Sequence, residues 1–251
     1  MDLIQRNPWD ELRAHTSARI ALGRVGSSLP TAEVLQFGMA HAQARDAVHR
    51  PLDLATLRSQ LEAAGFRCLQ VKSDAHDRHT YLLRPDKGRQ LQAECAERLS
   101  REKPAPELAI VIADGLSAIA VQRHALPLLE ALREQLVTNW ANTPVVLAEQ
   151  GRVAIGDGIG QTLRARLVIV LIGERPGLSS PDSLGIYLTF APRVGCMDSQ
   201  RNCISNVRPE GLPYGAAAHK LAYLSRQSLH LQLSGVNLKD DSNLQAIAQD
   251  E

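Results

Sequence analysis

Aromatic side chains are scarce in this sequence, at 4%, which argues against the stacking platforms that grip single-stranded nucleic acid. Charge imbalance is lacking as well. Lys and Arg number 28 against 27 Asp and Glu, a formal net charge of +1, so nothing suggests electrostatic capture of a polyanion or an anionic membrane. No run is apolar for long enough to span a bilayer. The start, Met1 to Pro8, has no apolar stretch behind a basic beginning and does not read as a secretory signal. The four cysteines, Cys68, Cys95, Cys196 and Cys203, are too few and too scattered for a disulfide scaffold, so reduced thiols in an intracellular protein are expected. What the chain does have is 44% apolar residues over 251 positions, enough for a core and for one large domain or a domain with an extension.

The motifs of common chemistries are missing too. There is no P-loop. Gly156, Gly158 and Gly160 resemble a phosphate-cradling loop, but the dinucleotide pattern needs its third glycine one residue later, and a flexible turn is the simpler reading. Gly115-Leu116-Ser117 follows a strand as a nucleophile elbow does, yet Ile119 stands where that motif wants glycine, and Ser117 reads as a helix cap. Cys203 and His219 could pair as nucleophile and base, but nothing supplies an orienting third group. Cys196, Cys203 and His219 lack zinc-ligand spacing, so no metal site is expected. The chain has ligand-shaped loops without a set of reacting groups, as expected of a subunit that completes a cofactor site on a partner.

The stretch around which the chain is organised is Leu167–Ile172, a continuous apolar run that stops at Gly173-Glu174-Arg175-Pro176-Gly177. A run so short, bounded by turn residues, predicts a strand buried on both faces of a helix-covered parallel sheet. Ligands sit beyond the carboxyl ends of such strands, so Gly173 to Gly177 is where a ligand is first sought.

Periodicity divides the chain at Pro104-Ala105-Pro106, a stiff linker by composition. Residues 1–103 read as a helix-rich N-terminal part: helices over Trp9–Leu22, Thr31–Val48, Leu54–Ala64 and Arg89–Glu102, with short strands at Cys68–Lys72 and Thr80–Leu83. Its arginines, among them Arg13, Arg19 and Arg24, suit either a solvated face or a surface that docks a partner. Residues 104–251 alternate strand and helix. Strands are expected at Leu108–Ile112, Val145–Leu147, Leu167–Ile172, Leu184–Phe190 and Cys203–Ser205. Helices are expected at Ser117–Leu136, kinked or split by Pro127, and at Pro213–Leu233. From Lys239 on the chain is polar and expected to fray. The fold class is therefore α/β, a helix-rich part followed by a Rossmann-like layered domain with a mainly parallel sheet.

Several pieces taken together resemble one family. They are Arg166–Leu178, Cys203–Val207, Val111–Ser117 and Gly151–Val153. Earlier in the chain Thr16–Ile20 with Gly23–Gly26, and Tyr81–Asp86 with Gly88-Arg89, continue the match. In order and spacing these are similar to the light (small) chain of ethanolamine ammonia-lyase, over nearly the whole chain from Asn7 to Asn237. The resemblance implies one subunit of an adenosylcobalamin-dependent enzyme that converts ethanolamine to acetaldehyde and ammonia by a radical route. It implies a large partner subunit whose (β/α)8 barrel holds the substrate, and cobalamin lying between the two chains. The family's cofactor contacts carry over to Val153, Glu174 and Cys203, and no catalytic residue carries over. A corrin, a broad apolar disc fringed with neutral amides, suits an apolar Val153 and an acceptor such as Glu174. Asp77-Arg78-His79 begins the pattern of enzymes that ligate cobalt through histidine, but Leu82 occupies the glycine position, which implies base-on binding. Ala40 stands before His41 where the family commonly has an acidic residue. Many members carry an additional N-terminal segment associated with bacterial microcompartments. This chain starts almost in the first shared helix, so either a microcompartment or the free cytoplasm is expected. The rival expectation is a self-contained α/β enzyme or nucleotide-binding domain using Asp114, Glu174 or Cys203; a ligand-free interaction module is the third.

Overall fold

The apolar run Leu167–Gly173 forms a strand buried along its whole length, and the computed structural model, which describes residues 3–242, builds a six-stranded sheet around it. In chain order the strands are β1 (Cys68–Lys72), β2 (Leu108–Ala113), β3 (Val145–Glu149), β4 (Leu167–Gly173), β5 (Leu184–Phe190) and β6 (Arg201–Val207). Their order across the sheet is β1-β3-β2-β4-β5-β6. The first four run parallel, while β5 and β6 add an antiparallel edge. The helices are α1 (Thr31–His49), α2 (Leu54–Ala63), α3 (Arg78–Leu83), α4 (Ala93–Ser100), α5 (Ala118–Gln135), α6 (Ile155–Leu163) and α7 (Tyr214–Leu231). This is the expected α/β class with a mainly parallel sheet. β1 precedes the Pro104–Pro106 stretch and is an edge strand of the same sheet, so the sheet takes a strand from each side of that linker.

Period-two alternation sorts the strand residues between two covered faces. Leu108, Ile110 and Ile112 with Leu167, Ile169 and Leu171 pack under α2, α5 and α7. Ala109, Val111 and Ala113 with Val168, Val170 and Ile172 pack under α4 and α6. Both faces are apolar because both are covered, which is why these strands read as continuous runs. Full burial of a side chain such as Leu128 contributes about 2 kcal/mol.

Four sequence expectations are corrected. The helix predicted over Trp9–Leu22 shrinks to a 3-10 turn at Asp10–His15 with no buried residue. Thr16 is extended, its hydroxyl accepts from Ala18 N, and the stretch has no apolar face against which a helix could settle. Thr80–Leu83 is the end of helix α3 and not a strand. Asp77 caps that helix by accepting from Thr80 N at 2.7 Å, a local bond that outweighs four residues of β-propensity. The helix expected from Arg89 starts only at Ala93, because Leu91 bridges to Ser73 and Gln92 N donates to Lys72 O. Gly156 and Gly160 lie inside α6, not in a turn. A Cβ on either would stand 2.5 Å from Val170 Cγ2 or 2.4 Å from Val168 Cγ2, so these glycines let α6 lie close on β4.

Other outcomes are smaller. Pro127 does not split α5, which is one helix from Ala118 to Gln135 with Ala125, Leu128 and Leu129 seated in the core. Ser117 caps it as expected, accepting from Ala120 N. The chain beyond Lys239 is held as far as it is described: Asp240 pairs with Lys220 at 2.7 Å and Ser242 is buried. The rest of the predicted frayed tail lies outside the described residues.

Candidate functional site

The sheet changes direction of growth at β2. The chain steps from β2 to β3 on one side, then crosses to β4 on the other, and the connecting helices α5 and α6 cover opposite faces. A crevice opens at the carboxyl ends of strands at such a switch point. Here Gly115 and Leu116 follow β2, Arg152 and Val153 follow β3, and Glu174 and Arg175 follow β4. With Tyr81, Ile172, Gly173 and Tyr187 they line an open pocket of about 390 Å³. Two glycines make the closeness of β2 and β4 possible. A Cβ at Gly173 would stand 2.0 Å from Ser117 O, and one at Gly115, which has φ +60°, would stand 2.2 Å from Gly173 O.

Asp114 fastens the floor. Its side chain is almost fully buried, and it accepts from the amides of Gly115 (3.0 Å), Gln150 (3.1 Å) and Gly151 (3.0 Å). One carboxylate thus ties the ends of β2 and β3 together. Burial lifts its pKa to about 6, against the opposing pull of Arg78 and the three amides. Arg78 lies 3.6 Å from the carboxylate and also donates to Gly115 O at 2.8 Å and Val48 O at 2.7 Å. Tyr81 lies within cation–π reach of Arg78 at 4.7 Å and of Arg152 at 4.1 Å. Its hydroxyl donates to Gly151 O at 3.3 Å. Arg78 Nη2 and Arg152 Nε are buried without a hydrogen-bond partner among the described residues. Buried donors of that kind are costly unless something accepts from them.

Of the residues singled out from the sequence, Val153 and Glu174 line the pocket together. Glu174 Oε2 accepts from Ser183 Oγ and from Asn206 N, while Oε1 accepts no hydrogen bond within the described residues. Cys203 does not line the pocket. It faces Tyr187, its register partner on β5, and Tyr187 does line it. Burial and the neighbouring thiol push the Tyr187 hydroxyl up to about 12, and burial raises the Cys203 thiol. The Cys203–His219 pair is not formed. Ile204 points to the face covered by α7, so Cys203 points to the other, and His219 on α7 meets Ser242 O instead. Asp77 is occupied with its helix cap and His79 is exposed. All four cysteines are free thiols.

Sequence reasoning missed Arg78, Tyr81 and Arg152. The Asp77–Thr80 spacing of a helix cap was the available signal for the first two, and adjacency to Val153 for the third. Three larger hollows lie elsewhere. One of about 560 Å³ runs along β1, with Arg58, Gln70 and Arg98; another of about 610 Å³ holds His15, Asp182 and Arg208; a third of about 450 Å³ lies between Gln5, Arg24 and Leu29. None is framed by the β2, β3 and β4 ends. Among the described residues no group of His, Cys, Asp or Glu could hold a metal ion, and no helix is long and apolar enough to cross a membrane.

Fold and site together define an α/β chain that presents a half-open pocket in which apolar walls alternate with charged and polar groups. It matches the family model described as ethanolamine ammonia-lyase light chain (EutC) over residues 6–239. It is 60% identical over 243 residues to the ethanolamine ammonia-lyase small subunit of Azotobacter vinelandii, covering 95% of this chain and 90% of the relative. It is 59% identical over 252 residues to that of Pseudomonas aeruginosa strain LESB58 (98% and 92% covered), and 57% identical over 250 residues to that of Pseudomonas fluorescens strain SBW25 (98% and 90%). The chain belongs to the ethanolamine ammonia-lyase light chain family, which makes it one subunit of a lyase.

Proposed function

We propose that this chain is the small subunit of an adenosylcobalamin-dependent ethanolamine ammonia-lyase and that its pocket takes one side of the cofactor at the contact with the large subunit. The supporting observation is the chemistry gathered at the strand ends. Leu116, Val153 and Ile172 offer apolar surface, Glu174 Oε1 offers a vacant acceptor for an amide N–H, and the Arg152 and Arg175 side chains on the same lining offer donors for amide carbonyls. A corrin fringed with neutral amides asks for that mixture. A pocket of about 390 Å³ is too small to enclose a corrin, which suits a cofactor shared with a second chain.

When bound, the cobalamin supplies the radical by homolysis of its cobalt–carbon bond, and the substrate barrel lies in the large subunit. This chain's residues bind and orient. Val153 would pack against the cofactor, Glu174 would hold an amide arm while Ser183 and Asn206 fix its own rotamer, and Tyr187, with Cys203 beside it on β6, would close one wall. No residue of this chain is assigned as a ligand to cobalt. The rival enzyme reading is weaker. Asp114 is buried with its oxygens taken by three amides, and burial raises the Cys203 thiol, away from the thiolate that a nucleophile needs.

Cobalamin binding to the assembled complex, followed by its absorbance, tests the proposal. Val153→Arg should weaken binding at least tenfold through bulk and a poorly solvated charge. Glu174→Ala should weaken it several-fold and Glu174→Gln less, because glutamine keeps an acceptor oxygen. Acetaldehyde production by the isolated chain with cofactor, or unchanged cobalamin affinity in a folded Val153→Arg complex, overturns it.

A further inference from the structure

The helix α1 is apolar on two opposite sides, and the fold covers only one of them. Ala40 and Ala47 turn inward and are buried, with Ala44 beside them half-buried. At helical spacing Val34, Leu35, Gly38, Met39 and Ala42 fall on the other side. Val34 is 51%, Leu35 68% and Met39 60% exposed, and a Cβ added at Gly38 would meet nothing. Phe37, 45% exposed, stacks edge-on against His41 at the border of this face. Ten of the sixteen large apolar side chains that are exposed among the described residues lie before residue 40. A concentration of that kind marks an interaction surface, whereas single exposed apolar residues do not.

The arm that carries this face is tied to the pocket rim near both of its ends. Val48, near the end of α1, accepts from Arg78 Nε, and the same guanidinium donates to Gly115 O at the pocket wall. Arg19, before α1, donates to Leu178 O at 3.1 Å in the loop that continues from Glu174. A chain that closes over the pocket therefore reaches α1 in the same approach. The arm also falls within the residues 6–239 that define the family match.

We infer that the bare face of α1, centred on Leu35, Gly38 and Met39, is a docking surface for the large subunit. This rests on the proposed shared cofactor site, since that reading identifies the chain that covers the pocket. Gly38 and Ala42 let a partner's backbone come close, and Leu35, Met39 and Val34 supply the apolar contact. A second copy of this chain is the competing occupant.

The test mixes this chain with purified large subunit without cofactor and measures complex formation by sedimentation velocity. The variant is the triple Val34→Ser, Leu35→Ser, Met39→Ser, whose altered residues are exposed and leave the core intact, as circular dichroism should verify. Assembly should weaken at least tenfold in the triple variant and stay unchanged in Val137→Ser, which alters a 98% exposed apolar residue on the loop from α5 to β3, at the end of the sheet away from the pocket. Assembly of the triple variant at wild-type affinity overturns the inference and leaves the cofactor reading standing. Wild-type chain that forms no complex with the large subunit overturns both. Self-association of the isolated wild-type chain that the triple variant abolishes, with large-subunit binding retained, gives the face to a second copy and also overturns it.

Discussion

The sheet and the arm are built by opposite logics. In the sheet every level agrees: β-branched runs form strands, alternation fills two covered faces, and glycines stand where backbones must touch. In the arm, residues 31–49 form a helix that seats only Ala40 and Ala47 on the body, and the segment before it keeps no buried residue in its 3-10 turn. Packing fixes the sheet from within the chain, whereas the arm has a well-formed helix with half its contacts unfilled. The difference separates a part whose contacts are completed within the chain from a part that leaves an apolar face open.

The sharpest way to break the sheet side of this comparison is Gly173→Val. The Cβ would stand 2.0 Å from Ser117 O and 2.7 Å from Asp114 O, both backbone atoms that cannot step aside without parting β2 from β4. Overpacking against immobile backbone exceeds the usual 1–3 kcal/mol, and we expect a loss of more than about 4 kcal/mol. Urea unfolding followed by circular dichroism measures it. A variant within about 1 kcal/mol of wild type would mean that the close approach of the two strands carries no stability.

The sheet was readable in the sequence because its signals are local and redundant. Leu167–Ile172 reads as a buried strand on composition alone, and Gly173 and Pro176 mark its end. The site was half readable. Val153 and Glu174 sit at strand ends, and the resemblance pointed to them. Arg78, Tyr81 and Arg152 were not found, because their importance comes from a helix cap at Asp77 that brings α3 beneath Gly151, a tertiary fact. Gly156 and Gly160 were misread as a turn since glycine favours turns locally. Only the distance to Val168 and Val170 shows why they belong in a helix. The Trp9–Leu22 error is the converse: the spacing suited a helix, but the fold offers that segment nothing to pack on.

A more modest change probes the joint between the two regions. Asp114→Asn keeps an acceptor for Gly115 and Gly151 but turns an amide NH₂ toward Gln150 N and Arg78, both donors. We expect a loss of about 1–3 kcal/mol at neutral pH. The acid dependence has a definite sign. The carboxyl has a pKa of about 6 in the folded chain against an ordinary 3.8, so between those values the folded state holds the proton more tightly. The contribution of this group to stability therefore falls as pH rises from about 4 to about 6. The variant lacks that slope, and the gap between wild type and variant should widen as pH is lowered through the window. Parallel curves across it would show that Asp114 titrates at its ordinary value.

The smallest effect is expected on the bare face of α1, and comparing the helix with itself gives the cleanest contrast. Ala47 is 2% exposed and faces the body; Leu35, on the same helix, is 68% exposed. Ala47→Leu pushes a larger side chain into filled space and should cost about 1–3 kcal/mol. Leu35→Ser removes a side chain that touches little, and away from core, cap and ion pair such surface changes stay within about 0.5 kcal/mol. Serine also has a lower helix propensity than leucine, which adds only tenths of a kcal/mol at one position. Thermal or urea unfolding of the isolated chain should therefore separate the two variants clearly. If Leu35→Ser were as costly as Ala47→Leu, the outer face would already be packed within the isolated chain, and no partner would be needed to cover it.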